Sequence, residues 1–533
     1  MRVARPSGDG LEKGPVATGR ALPQAVAVLG RAVALAVVAL VLVLLLLVIV
    51  RLPWAGDLGM HAATLQRLRH SLLHPGNPLV DADTPSPYYS PWMLVLGVLA
   101  KATGVSVFVV LRIGALVGLT LLVTGVWRYV RTLTGRPAGP AVALLCLLFL
   151  WGPLLFEWSG FLGLNSLALT VSYPSVFALG LTFHFWVWLT RSLRAPAGWW
   201  TWAALGALWA LILLVHQFSG VVASLGALAT IIAAMPGRET LPRLGRKSLP
   251  RLGRALSQPL GRETLTRLGA AVLLGVVVLW AWPYYDFFAL FSAGADLEAV
   301  HRPLYQHLPG RFGLVLLGVV ALGLRWRRDR RDPLVIFFVL GAVVFTAGGL
   351  SGHYSWGRVL PAALIPAQLA AALEAVSAGR RAVRTAWACV LGAALLVGAW
   401  AQAGTLGYVT GRAALPGVIA AKYRTPWTGY QWITPWVKYG DVVMARTFPA
   451  RQIPAYGPYT VAPGYPDVFL PDAERRQAAV RRYFAAGTSA DARRGIVREY
   501  GVRWVVDRAA GVRDGRLRRV ARGPGGQVLY AVR

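Results

Sequence analysis

Long apolar blocks and short polar segments succeed one another along most of the chain. The apolar runs have about 17–22 residues each, which is the length of a membrane-spanning helix, and the segments between them are rich in arginine. A transmembrane β-barrel would instead show short stretches of alternating polarity. Because lipid leaves every backbone polar group to be satisfied within the chain, the runs predict a polytopic helical bundle, a mainly α fold. We expect about eleven spans, at 31–50, 107–127, 140–156, 174–190, 199–215, 219–235, 269–285, 312–324, 333–350, 359–376 and 386–404.

One apolar segment is too short to span. SPWMLVLGVLAKATG, residues 90–104, follows a stretch that contains Pro87, Tyr88 and Tyr89. Amphipathic aromatic residues anchor at the membrane–water boundary. We therefore expect a helix that lies in, or dips into, the outer interface. A tilted span would invert every later segment, so we reject that alternative.

Composition narrows the class of protein. Of the 533 residues, 56% are hydrophobic and only 14% are charged, which excludes a soluble globular chain and a disordered one. The net charge of +33 would suggest nucleic acid in a soluble protein. Here the arginines punctuate the apolar runs as orientation signals do, so we expect no nucleic-acid partner. The two cysteines, Cys146 and Cys389, lie in apolar runs and build neither a disulfide framework nor a metal cluster.

The arginines also predict the orientation. One set of connections holds 26 Lys and Arg residues: the N-terminal tail, 128–136, 191–194, 236–268, RWRRDRR at 325–331, and 380–384. The other set holds 7: 51–106, 157–173, the turn at His216, 286–311 and 351–358. The positive-inside rule then places the N-terminus in the cytoplasm and the second set outside.

The C-terminal part changes character after the last span. DVVMA (441–445), VRWVVDR (502–508) and QVLYAV (527–532) read as strands, and AERRQAAVRRYFA and SADARRGIVREYG read as helices. Such an alternation indicates a small α/β domain. We expect three parts: a basic cytoplasmic tail at 1–30, a transmembrane domain at 31–404 with an outer loop at 51–106, and an extracytoplasmic α/β domain at 405–533.

The outward-facing set carries the candidate chemistry. It contains most of the acidic residues of the membrane part and most of the histidines. A carboxylate near a partly dry surface has a raised pKa and accepts a proton from a hydroxyl, and arginine holds phosphate through paired hydrogen bonds. We take Asp57 and His61 as candidate catalytic residues. The candidate substrate-binding residues are Asp81, Asp83, His216, Arg302 and Arg358.

Each candidate has a simpler interpretation. Asp57 is a favoured residue for capping a helix over 58–69, with His61 one turn later bonded to it. Asp81 and Asp83 lie in a proline-rich loop, where a solvated turn is the default and a divalent cation the alternative, although two carboxylates do not complete a site. His216 closes a turn between two spans or lines a cavity. Arg358 anchors a helix at the interface or binds phosphate.

The order of motifs resembles the GT-C superfamily of polyprenyl-phosphate-sugar glycosyltransferases. The first span is followed by GDLGMHAATLQRL, then by SPYYSPWMLVLGVLAKATGVSVFVVLRIGALVGLTLLVTGVWRYVRTLTGR, and SWGRVLPAALIPAQLAAALE resembles a late span of bacterial members. The C-terminal AERRQAAVRRYFAAGTSADARRGIVREYGVRWVVDR resembles the outer domain of bacterial relatives. The family places an acidic residue soon after the first span as catalytic base, and Asp57 matches it. The usual acidic pair is absent, since Leu58 follows Asp57, and so is the WWD signature of oligosaccharyltransferases.

The resemblance implies an inverting transfer of a monosaccharide from a polyprenyl-phosphate donor to a cell-envelope glycan or protein at the outer membrane surface. Arg358 or Arg302 would hold the donor phosphate, and Asp57 would deprotonate the acceptor. Nothing in the sequence requires a cofactor, and a divalent metal stays an alternative. Two other functions remain open: a non-catalytic assembly or binding protein on this scaffold, and a transporter or flippase. The spans hold few ionisable residues, chiefly Arg112, His184 and Glu374, which counts against transport.

Overall fold

The structure is a computed structural model that describes residues 21–235, 261–292, 295–377, 379–508, 511 and 516–533. Two predicted features fall largely outside the described residues: the basic tail at 1–30, up to residue 20, and the basic loop at 236–268, from 236 to 260. The described part is mostly helical, with one small mixed sheet near the C-terminus.

The α-helices of the described residues are numbered in chain order. They are α1 (Ala21–Arg51), α2 (Leu58–His70), α3 (Pro91–Thr103), α4 (Val107–Leu133), α5 (Gly139–Phe149), α6 (Leu164–Thr170), α7 (Pro174–Arg194), α8 (Trp199–Val215), α9 (Gln217–Ala234), α10 (Arg262–Trp280), α11 (Ala295–His301), α12 (Leu308–Phe312), α13 (Leu316–Arg328), α14 (Pro333–Ser351), α15 (Pro361–Ser377), α16 (Arg381–Ala401), α17 (Gly407–Thr410), α18 (Gly417–Ala420), α19 (Thr447–Ala450), α20 (Ala473–Phe484) and α21 (Ala490–Glu499).

The chain is a multi-pass membrane protein. Within the described ranges, nine helices are long and apolar enough to cross a membrane. Two predicted spans form shorter apolar helices, α5 with 11 residues and α8 with 17, so the count of eleven spans stays a prediction. The nine are Val28–Arg51, Val107–Leu133, Pro174–Arg194, Gln217–Ala234, Arg262–Trp280, Leu308–Arg328, Pro333–Ser351, Tyr354–Ser377 and Ala382–Ala401.

Helix α15 lies at the centre of the bundle, and its residues from Pro361 to Glu374 are buried. Glycines on two neighbouring helices let its backbone approach closely. A Cβ atom on Gly318 of α13 would stand 2.2 Å from the carbonyl oxygen of Ala367, and one on Gly341 of α14 would stand 2.5 Å from the carbonyl carbon of Ala362. Small residues therefore set the helix spacing here, as is common in membrane bundles.

The ionisable residues within the spans have structural partners. Glu374 accepts two hydrogen bonds from Arg328, at 2.7 and 2.9 Å. Arg112 donates to the backbone carbonyl of Val50 at 2.9 Å, and His184 lies 3.2 Å from the hydroxyl of Thr124. Through these contacts the three residues stabilise the helical bundle.

The segment between α1 and α4 forms the predicted short helices. Helix α2 covers the predicted 58–69, and α3 covers most of 90–104, with Ser90 accepting from the amide of Met93 as its N-cap. The two helices pack against each other, since a Cβ atom on Gly97 would stand 2.6 Å from Cβ of Leu68. Together with the start of α4 they form an apolar cluster separate from the main core of the bundle.

The C-terminal sheet has five strands, β1 (Val442–Ala445), β2 (Tyr459–Thr460), β3 (Val502–Arg508), β4 (Leu517–Arg522) and β5 (Gln527–Val532). Their order is β2-β1-β3-β5-β4; β1 runs parallel to β2 and β3, and β5 runs antiparallel to β3 and β4. The three predicted strands and the helices α20 and α21 are confirmed. Strands β2 and β4 were not expected: β2 has two residues, and β4 reads LRRVAR, without an apolar face.

The sheet domain is joined tightly to α2 and the loop after it. Arg67 of α2 is fully buried, and its terminal nitrogens donate to the carbonyls of Gly457 and Pro458, both at 2.8 Å. Its guanidinium stacks over the ring of Tyr459 at 3.6 Å. Val80 of the loop bridges to Thr460 and so extends the sheet beyond β2. The C-terminal domain therefore has a fixed place over α2.

Candidate active site

Asp57 stands at the turn between α1 and α2. The chain reverses there through Leu52 and Gly56, whose φ angles are 49° and 43°. The turn leaves Asp57 at the N-cap position of α2, but its side chain makes no capping hydrogen bond. The capping alternative is therefore not realised in this structure, and the carboxylate is available for another role.

Two tyrosine hydroxyls fix the backbone before Asp57. Tyr173, from the segment before α7, donates to the carbonyl of Ala55 at 2.5 Å, and Tyr465 of the C-terminal domain donates to the carbonyl of Gly56 at 2.7 Å. A Cβ atom on Gly56 would stand 3.2 Å from the Tyr173 hydroxyl. The turn that presents Asp57 is thus clamped from both the membrane part and the C-terminal domain.

Burial raises the pKa of the Asp57 carboxyl, while the positive charges of Arg358 and Arg451 act in the opposite direction. Within the described part of the chain, neither guanidinium forms an ion pair with it. Asp57 is only half-buried. A carboxylate that is shielded, partly accessible and unpaired is suited to take up a proton.

Arg358 belongs to a short 3₁₀ helix, Tyr354–Val359, that leads into α15. It is buried, with 8% of its surface exposed, and its guanidinium lies 4.7 Å from the ring of Phe218 and 5.8 Å from that of Trp158. Its one polar contact among the described side chains and carbonyls is with His216 Nε2, at 3.4 Å. A guanidinium has five N–H donors, so most of them have no acceptor from the protein.

His216 lies between α8 and α9 and caps α9. Its Nδ1 is 2.8 Å from the hydroxyl of Ser219 and 3.2 Å from the amide nitrogen of the same residue. Burial, and then the charge of Arg358, lower its pKa well below the ordinary value, so the ring is neutral. As the cap of α9, Nδ1 accepts from the amide of Ser219, so the proton of the neutral ring is on Nε2, the nitrogen that faces Arg358.

Two further histidines complete the surroundings. His61 is buried, its ring centre is 4.7 Å from that of Tyr173, and burial lowers its pKa to about 3. Its bond to Asp57 is a backbone one, from the His61 amide to the Asp57 carbonyl at 3.1 Å. His301 of α11 lies 5.7 Å from the ring of Phe218, and burial, then the charge of Arg358, lower its pKa to about 4. The imidazoles around the site are therefore neutral at pH 7.

The structure brings together four of the predicted residues: Asp57 and Arg358 interact electrostatically, as do His61 and His216, and His216 contacts Arg358. Asp81 and Asp83 are exposed, and the backbone carbonyl of Asp81 accepts a hydrogen bond from Arg476 at 3.3 Å. No group of three or more His, Cys, Asp or Glu side chains in the described ranges is arranged to hold a metal ion.

Arg302 is also exposed, and its guanidinium lies 5.9 Å from the ring of Tyr354. Its neighbour His301 faces the site in its place. Sequence reasoning missed His301, because an adjacent His–Arg pair does not reveal which side chain points inward. It also missed Tyr465 and Arg451, about 400 residues from Asp57, for which the sequence carries no signal.

No protein-family model and no curated protein sequence matches the chain. Its structure is similar to that of the arabinofuranosyltransferase AftD from Mycobacteria, with a TM-score of 0.53 and 17% identity over 94% of this chain. The chain spans 41% of the length of AftD. It is also similar to ArnT from Cupriavidus metallidurans in the apo state, with a TM-score of 0.52 and 15% identity over 93% of this chain and 97% of ArnT. At these identities the likeness shows the fold, and the predicted GT-C fold is confirmed.

Proposed function

We propose that this chain is a membrane glycosyltransferase. It moves a sugar from a polyprenyl-phosphate donor to an acceptor hydroxyl, with inversion at the anomeric carbon. The observation that carries the proposal is the pair formed by Asp57 and Arg358, two opposite charges that act on each other without forming an ion pair. Such a pair leaves guanidinium donors for an anion and a carboxylate acceptor for a hydroxyl.

Arg358 is the residue that holds the donor phosphate. A buried guanidinium is costly unless it is paired, and the protein supplies only one long contact, from His216. Arginine matches the geometry of phosphate oxygens through paired charge-assisted hydrogen bonds. The 3₁₀ helix of Arg358 begins the candidate span Tyr354–Ser377, a level that suits the headgroup of a lipid whose tail lies in the bilayer.

Asp57 is the general base. It accepts the proton of the acceptor hydroxyl as that oxygen attacks the anomeric carbon from the face opposite the phosphate. The bond from the anomeric carbon to the phosphate oxygen breaks, and its electron pair stays on the phosphate, where Arg358 stabilises the charge. A positioned base of this kind contributes about 10²–10⁴-fold to the rate.

The other predicted residues have supporting roles in this proposal. His61, neutral and one turn after Asp57, offers a ring nitrogen to the attacking hydroxyl. His216 orients Arg358. Asp81, Asp83 and Arg302 stay predicted substrate contacts, since their side chains are exposed to an incoming acceptor. No step needs a metal ion or another cofactor.

The arginine distribution supports an N-terminus in the cytoplasm and a C-terminal domain outside the membrane. On that orientation the Asp57 end of the bundle faces the cell envelope. The acceptor is then a cell-envelope glycan or protein, and the donor reaches the site through the outer leaflet.

The test is an assay of the purified protein in lipid nanodiscs with a panel of radiolabelled polyprenyl-phosphate sugars and an envelope fraction as acceptor. We expect one donor to lose its sugar to the acceptor, and Asp57→Asn to lower the rate by about 10²-fold or more. Asn has nearly the same size as Asp, and the Asp57 side chain makes no capping hydrogen bond, so the fold should be unchanged. Wild-type turnover in Asp57→Asn, or no transfer from any donor, would overturn the proposal.

A further inference from the structure

The C-terminal domain places a second arginine beside Asp57. Arg451 follows α19, and its backbone is held between two glycines. A Cβ atom on Gly59 of α2 would stand 2.0 Å from the carbonyl oxygen of Arg451, and one on Gly464 would stand 2.6 Å from its amide nitrogen. Approach at these distances requires glycine, so the position of Arg451 relative to α2 is closely defined.

The guanidinium of Arg451 is anchored at one end. Its Nε donates to the carbonyl of Gly464 at 2.9 Å, and the group lies 5.2 Å from the ring of Tyr465. The same tyrosine bonds to the carbonyl of Gly56, directly before Asp57. Its two terminal nitrogens have no hydrogen-bond or ion-pair partner within the described ranges. They are oriented donors without an acceptor.

Arg451 and Arg358 have different neighbours. The charge of Arg358 acts on His216 and His301, and its guanidinium contacts Phe218 and Trp158. The charge of Arg451 acts on Tyr465, as does that of Asp57. Asp57 is the charged group on which both arginines act, and their polar contacts are separate, with His216 for Arg358 and with Gly464 for Arg451.

We propose that Arg451 binds an acidic group of the acceptor, a carboxylate or a phosphate carried by the glycan near the hydroxyl that Asp57 deprotonates. This rests on the proposed function, with Arg358 taking the donor and Arg451 the acceptor. Because the residue comes from the C-terminal domain, that domain is a component of the active site and selects acidic acceptors. A neutral glycan would leave the guanidinium half-buried and unpaired, which is unfavourable.

The test measures binding without any transfer. Wild-type protein in nanodiscs is titrated with methyl β-D-glucuronide, with glucose 6-phosphate and with the neutral methyl β-D-glucoside, and binding is followed by ligand-observed NMR. We expect an acidic probe to bind roughly tenfold or more tightly than the neutral one, the gain of a charge-assisted hydrogen bond. The acidic probe that binds more tightly than the neutral one identifies the group as a carboxylate or a phosphate.

Arg451→Gln should remove this advantage and leave the neutral probe unchanged. Arg481→Gln is the matched control, because Arg481 is an exposed arginine of the same domain. An equal affinity for all three probes, no binding by any of them, or an advantage that survives Arg451→Gln would overturn the inference. The assay needs no donor, so its failure is distinct from a failure of the transferase proposal.

Discussion

Gly59 of α2 and Arg451 of the C-terminal domain are in direct backbone contact: a Cβ atom on Gly59 would stand 2.0 Å from the carbonyl oxygen of Arg451 and 3.1 Å from Cα of Gln452. Gly59 is the second residue after Asp57. The contact therefore ties the position of the domain to the position of the candidate base.

This relationship predicts the effect of Gly59→Ala. The methyl group clashes with the backbone of Arg451 and Gln452, so we expect the domain to shift from α2 and transfer to fall by at least about tenfold, since a small misplacement at a reacting centre is costly. The control is Gly323→Ala in α13, where a Cβ atom meets nothing within 4 Å. That change should stabilise its helix by about 0.5–1 kcal/mol. Transfer rates and thermal unfolding in nanodiscs measure the activity and the stability of the two variants. Equal activity of the two variants would contradict the contact.

The rate should depend on the ionisation of Asp57. Because burial raises its pKa, the rate of donor hydrolysis, with water as acceptor, should fall on acidification at a pH above the 3.8 of an unperturbed aspartate. A protonated carboxyl cannot accept a proton, so activity is present above the pKa and lost below it.

Arg451→Gln removes a positive charge that lowers the pKa of Asp57. The acid limb of the hydrolysis profile should therefore move to higher pH in this variant and stay in place in Arg481→Gln. A limb that stays where it is in Arg451→Gln, or moves to lower pH, would show that the two groups do not interact as the structure indicates.

Arg358 and Arg302 make opposite predictions for the donor phosphate. Arg358→Gln should weaken the binding of undecaprenyl phosphate by about 10-fold or more, because it removes charge-assisted hydrogen bonds. Arg302→Gln should have little effect, since Arg302 is exposed and Arg358 is buried. Binding to nanodisc-embedded protein by native mass spectrometry distinguishes them. A loss of binding confined to Arg302→Gln would show that Arg302, and not Arg358, binds the phosphate.

The orientation is open to a labelling test in a background without Cys146 and Cys389. Ala486 and Arg330 are both exposed, one in the C-terminal domain and one in the basic segment after α13. With the N-terminus in the cytoplasm, Ala486→Cys should react with an impermeant thiol reagent in intact cells, and Arg330→Cys should react only after lysis. The reverse pattern would invert the proposed topology.

The sequence alone indicated the helical bundle. An apolar run that crosses lipid must bond its backbone polar groups to one another, and a helix does this within a single segment. It also indicated the strands at 502–508 and 527–532 and the helices α20 and α21. In these segments the apolar residues recur at the spacing typical of a strand or of a helix. Strand β4 was missed because it lies at the sheet edge, where exposed arginines replace an apolar face.

The composition of the candidate site depended on the tertiary structure. The sequence selected Asp57 and Arg358 as residue types fit for the chemistry, but it could not decide between capping and catalysis at Asp57, or between Arg302 and Arg358. Those choices depend on side-chain direction, which helix phase and packing set. Arg451 and Tyr465 approach Asp57 because contacts such as those of the buried Arg67 and of Gly59 hold the C-terminal domain on α2. Contacts across such separations leave no periodicity or spacing in the chain, so only the folded structure brings the residues together.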